Sequence, residues 1–149
     1  MTYEWRYERD LRALVGRSVR RALWDERSGE YLVFDMIGSP EPVIAYAVEG
    51  DCCSHSYFHD FIGVEKLLTN GAIRSTRALP TTEFESPSDV TRCYGYELVT
   101  RHPLWGEMTS VLSFRNESNG YYGGNLVRVD PAQVPMDRMA ELRYDRVAG

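Results

Sequence analysis

The chain has 149 residues, 43% hydrophobic and 26% charged, with a formal net charge of −5. This balance is typical of a globular domain and excludes a disordered chain, and no apolar stretch approaches the roughly 18 residues that a membrane span requires. No concentrated Lys/Arg stripe is present, so we expect neither nucleic acid nor a membrane as a partner. Residues 1–12 alternate charged and aromatic side chains instead of forming the apolar block of a signal peptide, which predicts a soluble, cytoplasmic protein.

The charged residues are unevenly distributed along the chain. Residues 1–30 hold seven basic and six acidic side chains, and residues 101–149 hold six of each. Residues 31–100 hold four basic against ten acidic side chains, so the acidic excess comes from this middle stretch. We therefore expect a functional surface formed there to repel anions unless an arginine from elsewhere in the chain reaches it.

The first predicted element is an amphipathic helix within residues 1–16. Tyr7, Leu11, Leu14 and Val15 follow the i, i+4, i+7, i+8 spacing of one helical face, and a glycine then supplies the stop.

Three short apolar runs follow, separated by turn-forming residues. They cover residues 18–24, 31–36 and 42–48. Their spacing predicts an antiparallel meander. Residues 43–48 are apolar throughout, so we expect this strand to be buried on both faces.

The middle of the chain predicts one more helix and then further strands. Apolar side chains in residues 60–70 recur at i, i+3 and i+4 before an Asn-Gly stop. A strand over residues 73–79 and a loop over residues 80–89 come next, and this loop is the best candidate for a mobile flap. Residues 93–100 and 108–115 have strand character, with clear alternation in the second run.

The C-terminal part predicts a β-hairpin. Asn119-Gly120 suits a type I′ turn, because both central residues of that turn need a positive φ, and a strand over residues 125–129 follows. Residues 135–144, in a tail over residues 131–149, can form one more helix, and their Arg and Asp content also suits a frayed terminus.

Together these elements predict a single α+β domain over residues 1–149. An antiparallel sheet of six or seven strands within residues 17–130 forms the core, and the helices over residues 1–16 and 60–70 pack on it. We expect the Asp-Cys-Cys turn to lie near the Asn-Gly-Tyr-Tyr hairpin.

Thiol, imidazole and carboxylate groups concentrate between Glu49 and Asp60. The segment includes Cys52, Cys53, His55 and His59. Three interpretations are open: a zinc site completed by Cys93 or His102, a cysteine nucleophile activated by a histidine, or a strand end whose cysteine fills the core. No second ligand pair and no oxyanion-hole signature is visible, so we expect no metal and no cofactor and assign no catalytic residue. An odd number of cysteines, three, predicts reduced thiols.

A second candidate site lies in residues 116–124, where two tyrosines precede a diglycine. One interpretation is a tight hairpin whose tyrosines cover the sheet. The other is a flat surface in which Tyr121 and Tyr122 offer aromatic area with polar tips to a ligand or partner.

The two segments together resemble a family of small proteins from bacteriophages and bacteria that is defined as a domain of unknown function. The similarity runs from about Leu14 to Val129. The shared residues are Asp51, Cys52, Cys53, Asp60, Ser118, Asn119, Gly120, Tyr121 and Tyr122. The chain departs from the family at Ser54, where an acidic residue is usual, and neither His55 nor His59 matches a family histidine. The resemblance therefore argues against zinc and against a Cys-His dyad, and with the arginine-rich composition it implies a phage of an actinobacterial host.

The expected function is that of a non-enzymatic phage accessory protein that binds a host protein or a small molecule, with a host-inhibiting or counter-defence role by analogy. The expected binding residues are Asp51, Cys52, Cys53, Tyr57, Asp60, Asn119, Tyr121 and Tyr122. A small cysteine-dependent hydrolase and a virion accessory subunit are the alternatives. Homodimerisation through an edge strand or the N-terminal helix stays open.

Overall fold

A computed structural model describes residues 6–38, 40–50, 53–120 and 123–147. The described chain is mainly β-structure, with one short α-helix. Its elements are β1 (Arg6–Glu8), β2 (Ser18–Asp25), β3 (Tyr31–Ile37), β4 (Val43–Gly50), β5 (His55–Ile62), α1 (Val64–Thr69), β6 (Ser75–Ala78), β7 (Thr82–Glu85), β8 (Val90–His102), β9 (Gly106–Ser118), β10 (Gly124–Val129) and β11 (Met139–Leu142).

The strands form two antiparallel sheets. Sheet A has the order β1-β10-β4-β3-β2-β11, and sheet B has the order β5-β9-β8-β6, with β7 also paired to β8. The predicted meander is confirmed by β2, β3 and β4, which are sequential neighbours in sheet A. The long hairpin of β8 and β9 is the main ladder of sheet B, and it pairs residues from Val90 opposite Ser118 to His102 opposite Gly106.

The main hydrophobic core lies between the two sheets. Alternate residues of sheet A face it, among them Phe34, and alternate residues of sheet B face it, among them Phe58, Phe61 and Phe114. Phe34 meets Phe61 edge to face at 6.2 Å between ring centroids, and Phe58 meets Phe114 in the same way at 6.3 Å. The Phe34–Phe61 contact joins the two sheets, while the Phe58–Phe114 contact links neighbouring strands within sheet B. Both contacts lie in the main core.

The outer face of sheet A carries a second, smaller core. Strand β4 is buried on both faces, as its apolar run predicts: Ile44 and Tyr46 enter the main core, while Ala45 and Ala47 enter the outer cluster. Val134, in the segment between β10 and β11, packs into that outer cluster. This segment therefore covers the outer face of sheet A.

The predicted α+β class, with one sheet and two packed helices, is wrong, because the chain forms two sheets of six and five strands. The predicted N-terminal helix is wrong in the described part: residues 6–8 form β1 on the edge of sheet A, and Arg12–Leu14 is a single 3-10 turn. Leu11 and Leu14 are both buried. A single 3-10 turn places residues three positions apart on the same side, so the spacing of these two leucines needs no longer helix. Pairing with β10 satisfies backbone groups that a short isolated helix holds only marginally.

The C-terminal helix is also wrong. Prolines at positions 131 and 135 interrupt the segment, which forms two 3-10 turns, Pro131–Gln133 and Met136–Arg138. Strand β11 follows and pairs with β2. Both edge strands of sheet A, β1 and β11, therefore lie outside residues 17–130, to which the prediction confined the sheet.

The helix expected over residues 60–70 is shorter, because β5 continues to Ile62 and α1 starts after Gly63. The expected flap over residues 80–89 contains β7, so this prediction is wrong as well. Thr82 pairs with Cys93 in the backbone ladder, and Glu83 accepts a hydrogen bond from Arg92 at 2.8 Å. The alternating Thr-Glu-Phe-Glu run therefore forms an edge strand despite its flanking prolines.

The predicted hairpin at Asn119-Gly120 is wrong, because β9 belongs to sheet B and β10 to sheet A. Gly120 has a φ of 103°, but no described non-glycine residue, Asn119 included, has a positive φ. A type I′ turn needs a positive φ at both of its central residues. The Asn-Gly pair thus begins a crossing between the sheets instead of closing two paired strands.

Candidate functional site

The strand ends that flank two chain crossings between the sheets lie side by side at one end of the fold. Residues 51–54 lead from β4 to β5, and residues 119–123 lead from β9 to β10. Gly50 pairs with Gly124 in sheet A, and His55 pairs with Glu117 in sheet B. The described flanks of the two sequence motifs are therefore adjacent, as expected.

Four of the predicted binding residues fall outside the described residues: Asp51, Cys52, Tyr121 and Tyr122. The other predicted residue of the first crossing is Cys53, which has an exposed thiol. Cys53 and Asn119 line one hollow of about 460 Å³ beside His55 and Glu117. The structure thus brings together the described ends of both motifs.

A buried polar contact joins the strands that flank the crossings. The Asn116 amide donates to Ser56 Oγ at 2.8 Å, and the Ser56 hydroxyl donates to the Glu49 carbonyl at 3.1 Å. A Cβ on Gly124 would come within 2.8 Å of Ser56 Oγ and 2.9 Å of a Phe114 ring carbon. Glycine is required at position 124 because only hydrogen fits between the two sheets there.

The other two predicted residues, Tyr57 and Asp60, lie on the outer face of sheet B. Tyr57 on β5, Arg115 on β9 and Cys93 on β8 are directly opposite one another across three strands. The Tyr57 hydroxyl donates to Glu117 Oε1 at 2.9 Å, and the His55 ring stacks on Tyr57 at 5.3 Å. Burial, reinforced by the Glu117 carboxylate, raises the pKa of Tyr57.

Asp60 follows a β-bulge in β5, where the register shifts between Phe58 and Asp60. The extra residue, His59, has a buried Nδ1 with no hydrogen-bond partner among the described residues, and its Nε2 lies 3.7 Å from Asp60 Oδ1. Burial lowers the pKa of His59, while Asp60 opposes this shift and Arg115 adds to it. Bulges often redirect side chains beside functional sites.

Arg115 occupies the middle of this outer face. Its guanidinium carbon lies 5.8 Å from the centroid of the Phe84 ring. Arg115 forms no ion pair with a described carboxylate: Glu97 on the same face pairs with Arg77 at 2.8 Å, and Glu83, on the other face of β7, pairs with Arg92 at 2.8 Å. Sequence reasoning missed Arg115, although the alternation in β9 places residues 111, 113 and 115 on one face and could have indicated it.

Three hollows indent this side of the molecule. The largest, of about 520 Å³, lies between the β2–β3 turn and Tyr57, with Arg146 and Glu117 at its wall. The second is the hollow at the crossings. The third, of about 320 Å³, lies between Asp60 and Thr82 over Cys93. The four predicted residues that the structure describes therefore line these hollows: Tyr57 the first, Cys53 and Asn119 the second, and Asp60 the third.

The described thiols and imidazoles lie in two places: Cys53 is beside His55 at the first crossing, and Cys93 and His102 are on β8. Among the described residues, no three His, Cys, Asp or Glu side chains are grouped so that they could hold a metal ion. Cys93 and His102 stand nine residues apart on the same strand, a separation of about 30 Å at the rise of a β-strand. His102 instead stacks on Trp105 at the tip of the β8–β9 hairpin, at 4.3 Å between ring centroids.

The chain matches no family model, and comparisons with curated proteins and with solved structures find no significant similarity. The resemblance to bacteriophage and bacterial proteins therefore stays a prediction. Within the described chain, no helix has the length and apolar character needed to cross a membrane.

Proposed function

We propose that the chain is a non-enzymatic binding protein that receives a partner protein on the outer face of sheet B. The contrast between the two outer faces carries this proposal. In sheet A, outward residues such as Val33 and Ala45 are buried under the segment that contains Val134. In sheet B, the outward residues of β9 are half-buried or exposed, from Val111 to Glu117.

The side chains on that face are of the kinds that dominate protein interfaces. Tyrosine and arginine are enriched among residues that contribute most to binding, and aromatic residues are enriched in interface cores. Tyr57 and Arg115 stand in the central row, and Phe84 is 58% exposed beside them. Ile62, 38% exposed, adds apolar area at the other end of β5.

The shape of the face favours a protein over a small molecule. Small-molecule sites enclose most of the surface of their ligand. The three hollows, of which Tyr57 lines the largest, are open to solvent on the side of a sheet. If the chain is phage-encoded, as the resemblance in residues 51–54 and 118–122 implies, the partner is a protein of the bacterial host.

Photocrosslinking tests the location of the binding face. Benzophenone-alanine replaces Phe84 in one variant and Tyr144 in another, because Tyr144 is also an exposed aromatic residue, at 69%, but lies in the C-terminal segment. Both variants are irradiated in a lysate of the cells that express the gene. We expect a discrete adduct at position 84 that an excess of unlabelled wild-type protein suppresses.

The matched position decides the interpretation of the adducts. Adducts of equal yield and identity at positions 84 and 144, or no competed adduct at position 84, would contradict a binding face on sheet B.

A further inference from the structure

We propose that Arg115 binds a carboxylate of the partner, supplied by an aspartate or glutamate that apolar residues flank. This inference rests on the proposed binding face and names the chemistry that the face recognises. It assigns Arg115 as the residue that selects an acidic segment, with the exposed Phe84 ring beside it.

The charge distribution of the chain supports a specific role for Arg115. Strands β5 and β7 and residues 90–100 of β8 come from the stretch over residues 31–100, which holds ten acidic against four basic side chains. On the outer face, the acidic side chains of these strands are Asp60 and Glu97, because Glu83 and Glu85 alternate to the other face of β7. Carboxylates on this face repel anions. Arg115 belongs to the C-terminal third, and the sheet order inserts its strand, β9, between β5 and β8. The fold thus places this arginine between the rows of Asp60 and Glu117 on the outer face of sheet B.

The acidic neighbours of Arg115 are already engaged with other donors. Glu117 accepts the Tyr57 hydroxyl hydrogen bond at 2.9 Å. Glu97, on β8 four residues beyond Cys93, is paired with Arg77 at 2.8 Å. No described residue accepts a hydrogen bond from Arg115, and its nitrogens are not among the buried polar atoms that lack a partner. Its donors are therefore accessible to an incoming acceptor.

The geometry of a guanidinium suits a carboxylate at this position. Its planar fork donates two parallel hydrogen bonds to one carboxylate, while its face contacts an aromatic ring. The Phe84 ring lies at that face, at 5.8 Å. The other aromatic side chain of the row, Tyr57, adds area on the opposite side of Arg115.

The surroundings favour a carboxylate over a phosphate. A phosphate monoester carries close to two negative charges at neutral pH, whereas a carboxylate carries one. Asp60 and Glu117 lie on the same face as Arg115, and each repels the second charge of a phosphate. A single arginine is therefore matched to a single negative charge.

A displayed library of random heptapeptides tests this inference on the full-length protein. Peptides that bind the double variant Tyr57→Ala/Phe84→Ala are first removed from the library, and the remaining peptides are selected on the wild type. The peptides obtained are those whose binding depends on the outer face of sheet B. We expect a fixed Asp or Glu flanked by apolar residues. Binding of one synthetic peptide is then compared with that of its Asn or Gln analogue and its phosphoserine analogue.

Variants at position 115 give the quantitative result. We expect Arg115→Gln to weaken binding of the acidic peptide on the order of 10- to 100-fold, and Arg115→Lys to weaken it less, because an ammonium keeps the charge but loses the fork. Arg115→Gln should leave the affinity for the amide analogue almost unchanged. If Arg115 only maintained the structure of the face, the substitution would weaken binding of both peptides. Arg101→Gln is the matched control, because this exposed arginine lies on the same ladder at its far end.

Each outcome bears on one of the two proposals. Peptides that depend on Phe84 but lack an acidic residue, or bind Arg115→Gln as tightly as the wild type, would overturn the carboxylate inference and leave the binding face intact. Stronger binding of the phosphoserine analogue would overturn the choice of ligand. Selection of no peptide above the double variant would overturn the binding face itself.

Discussion

Replacing Asp25 with asparagine tests how the rim of the largest hollow is held. Asp25 ends β2, and its carboxylate is fully buried. Oδ1 accepts from the backbone N–H groups of Arg27 and Ser28 at 3.1 and 3.3 Å. Oδ2 accepts from the Ser28 hydroxyl at 2.8 Å, the Glu30 N–H at 3.1 Å and the Arg138 guanidinium at 2.9 Å. One side chain therefore organises the β2–β3 turn and ties it to the C-terminal segment.

The cost of the substitution follows from the donors that lose an acceptor. Asparagine replaces one oxygen with an amide group, so at least two of the five donors face another donor. A buried donor without an acceptor costs about 1–3 kcal/mol, and breaking a buried ion pair costs about 3–5 kcal/mol. Arg138 keeps Glu30 at 3.8 Å and some solvent contact, which places the loss at the lower end. We expect Asp25→Asn to lower the free energy of unfolding by about 3 kcal/mol.

The pH dependence gives the same experiment a second readout. Burial opposes the charged form of Asp25, but hydrogen bonds from Ser28, Glu30 and Arg27 outweigh it and hold its pKa below the ordinary value of 3.8. A lowered pKa in the folded state stabilises the fold above that ordinary value, and the stabilisation is lost as pH falls through the folded pKa. The difference between wild type and Asp25→Asn should be complete at pH 7 and shrink below about pH 4.

Urea denaturation at a series of pH values measures both effects. Asp35→Asn is the control, because Asp35 pairs with Arg21 on the surface at 2.9 Å, and such pairs contribute about 0–1 kcal/mol. A loss below about 1 kcal/mol for Asp25→Asn, or a difference that does not change between pH 7 and pH 3, would refute the reasoning.

Three further predictions concern the crossings, the binding face and the covered face. Gly124→Ala should destabilise the protein by about 1–3 kcal/mol in urea denaturation, because its Cβ would overlap Ser56 Oγ; an unchanged midpoint would contradict the tight crossing. Glu117→Gln should lower the pKa of Tyr57, measured by NMR titration of labelled tyrosine, since it removes the charge that the hydroxyl faces; no downward shift would count against this contact. Val134→Ala should cost about 2 kcal/mol in thermal unfolding, whereas a value near zero would mean that this segment does not seal sheet A.

Local sequence patterns predicted the strands whose side chains alternate between core and solvent. The meander of β2 to β4 and the alternation in β9 follow from apolar spacing, and the apolar run in β4 indicates burial on both faces. These features depend on which side of a strand is buried, and the sequence carries that information residue by residue.

The errors concern which segment pairs with which. Asn119-Gly120 has the composition of a hairpin turn, but composition does not reveal that the strand before it pairs with β5 and β8 while the strand after it pairs with β4. The i, i+4 spacing of Tyr7 and Leu11 also predicts a helix wrongly. Residues 6–8 form a strand because they pair with β10, more than 110 positions away, and local spacing does not reveal so distant a partner.

The candidate site was predictable in part. The adjacency of Cys53 and Asn119 was expected, and Tyr57 was selected for its aromatic surface. Arg115 was not predicted, because its place between Tyr57 on β5 and Cys93 on β8 follows only from the sheet order. The requirement for an arginine from outside residues 31–100 was nevertheless apparent from the charge distribution.

Hydrogen exchange of the protein with and without a selected acidic peptide tests the proposed binding face most directly. The account predicts that the peptide slows exchange in β7, β8 and β9 around Phe84 and Arg115, and that this protection is absent in Arg115→Gln at the same peptide concentration. Protection confined to residues 131–138 over sheet A, or to the hairpin tip at Trp105, would contradict it.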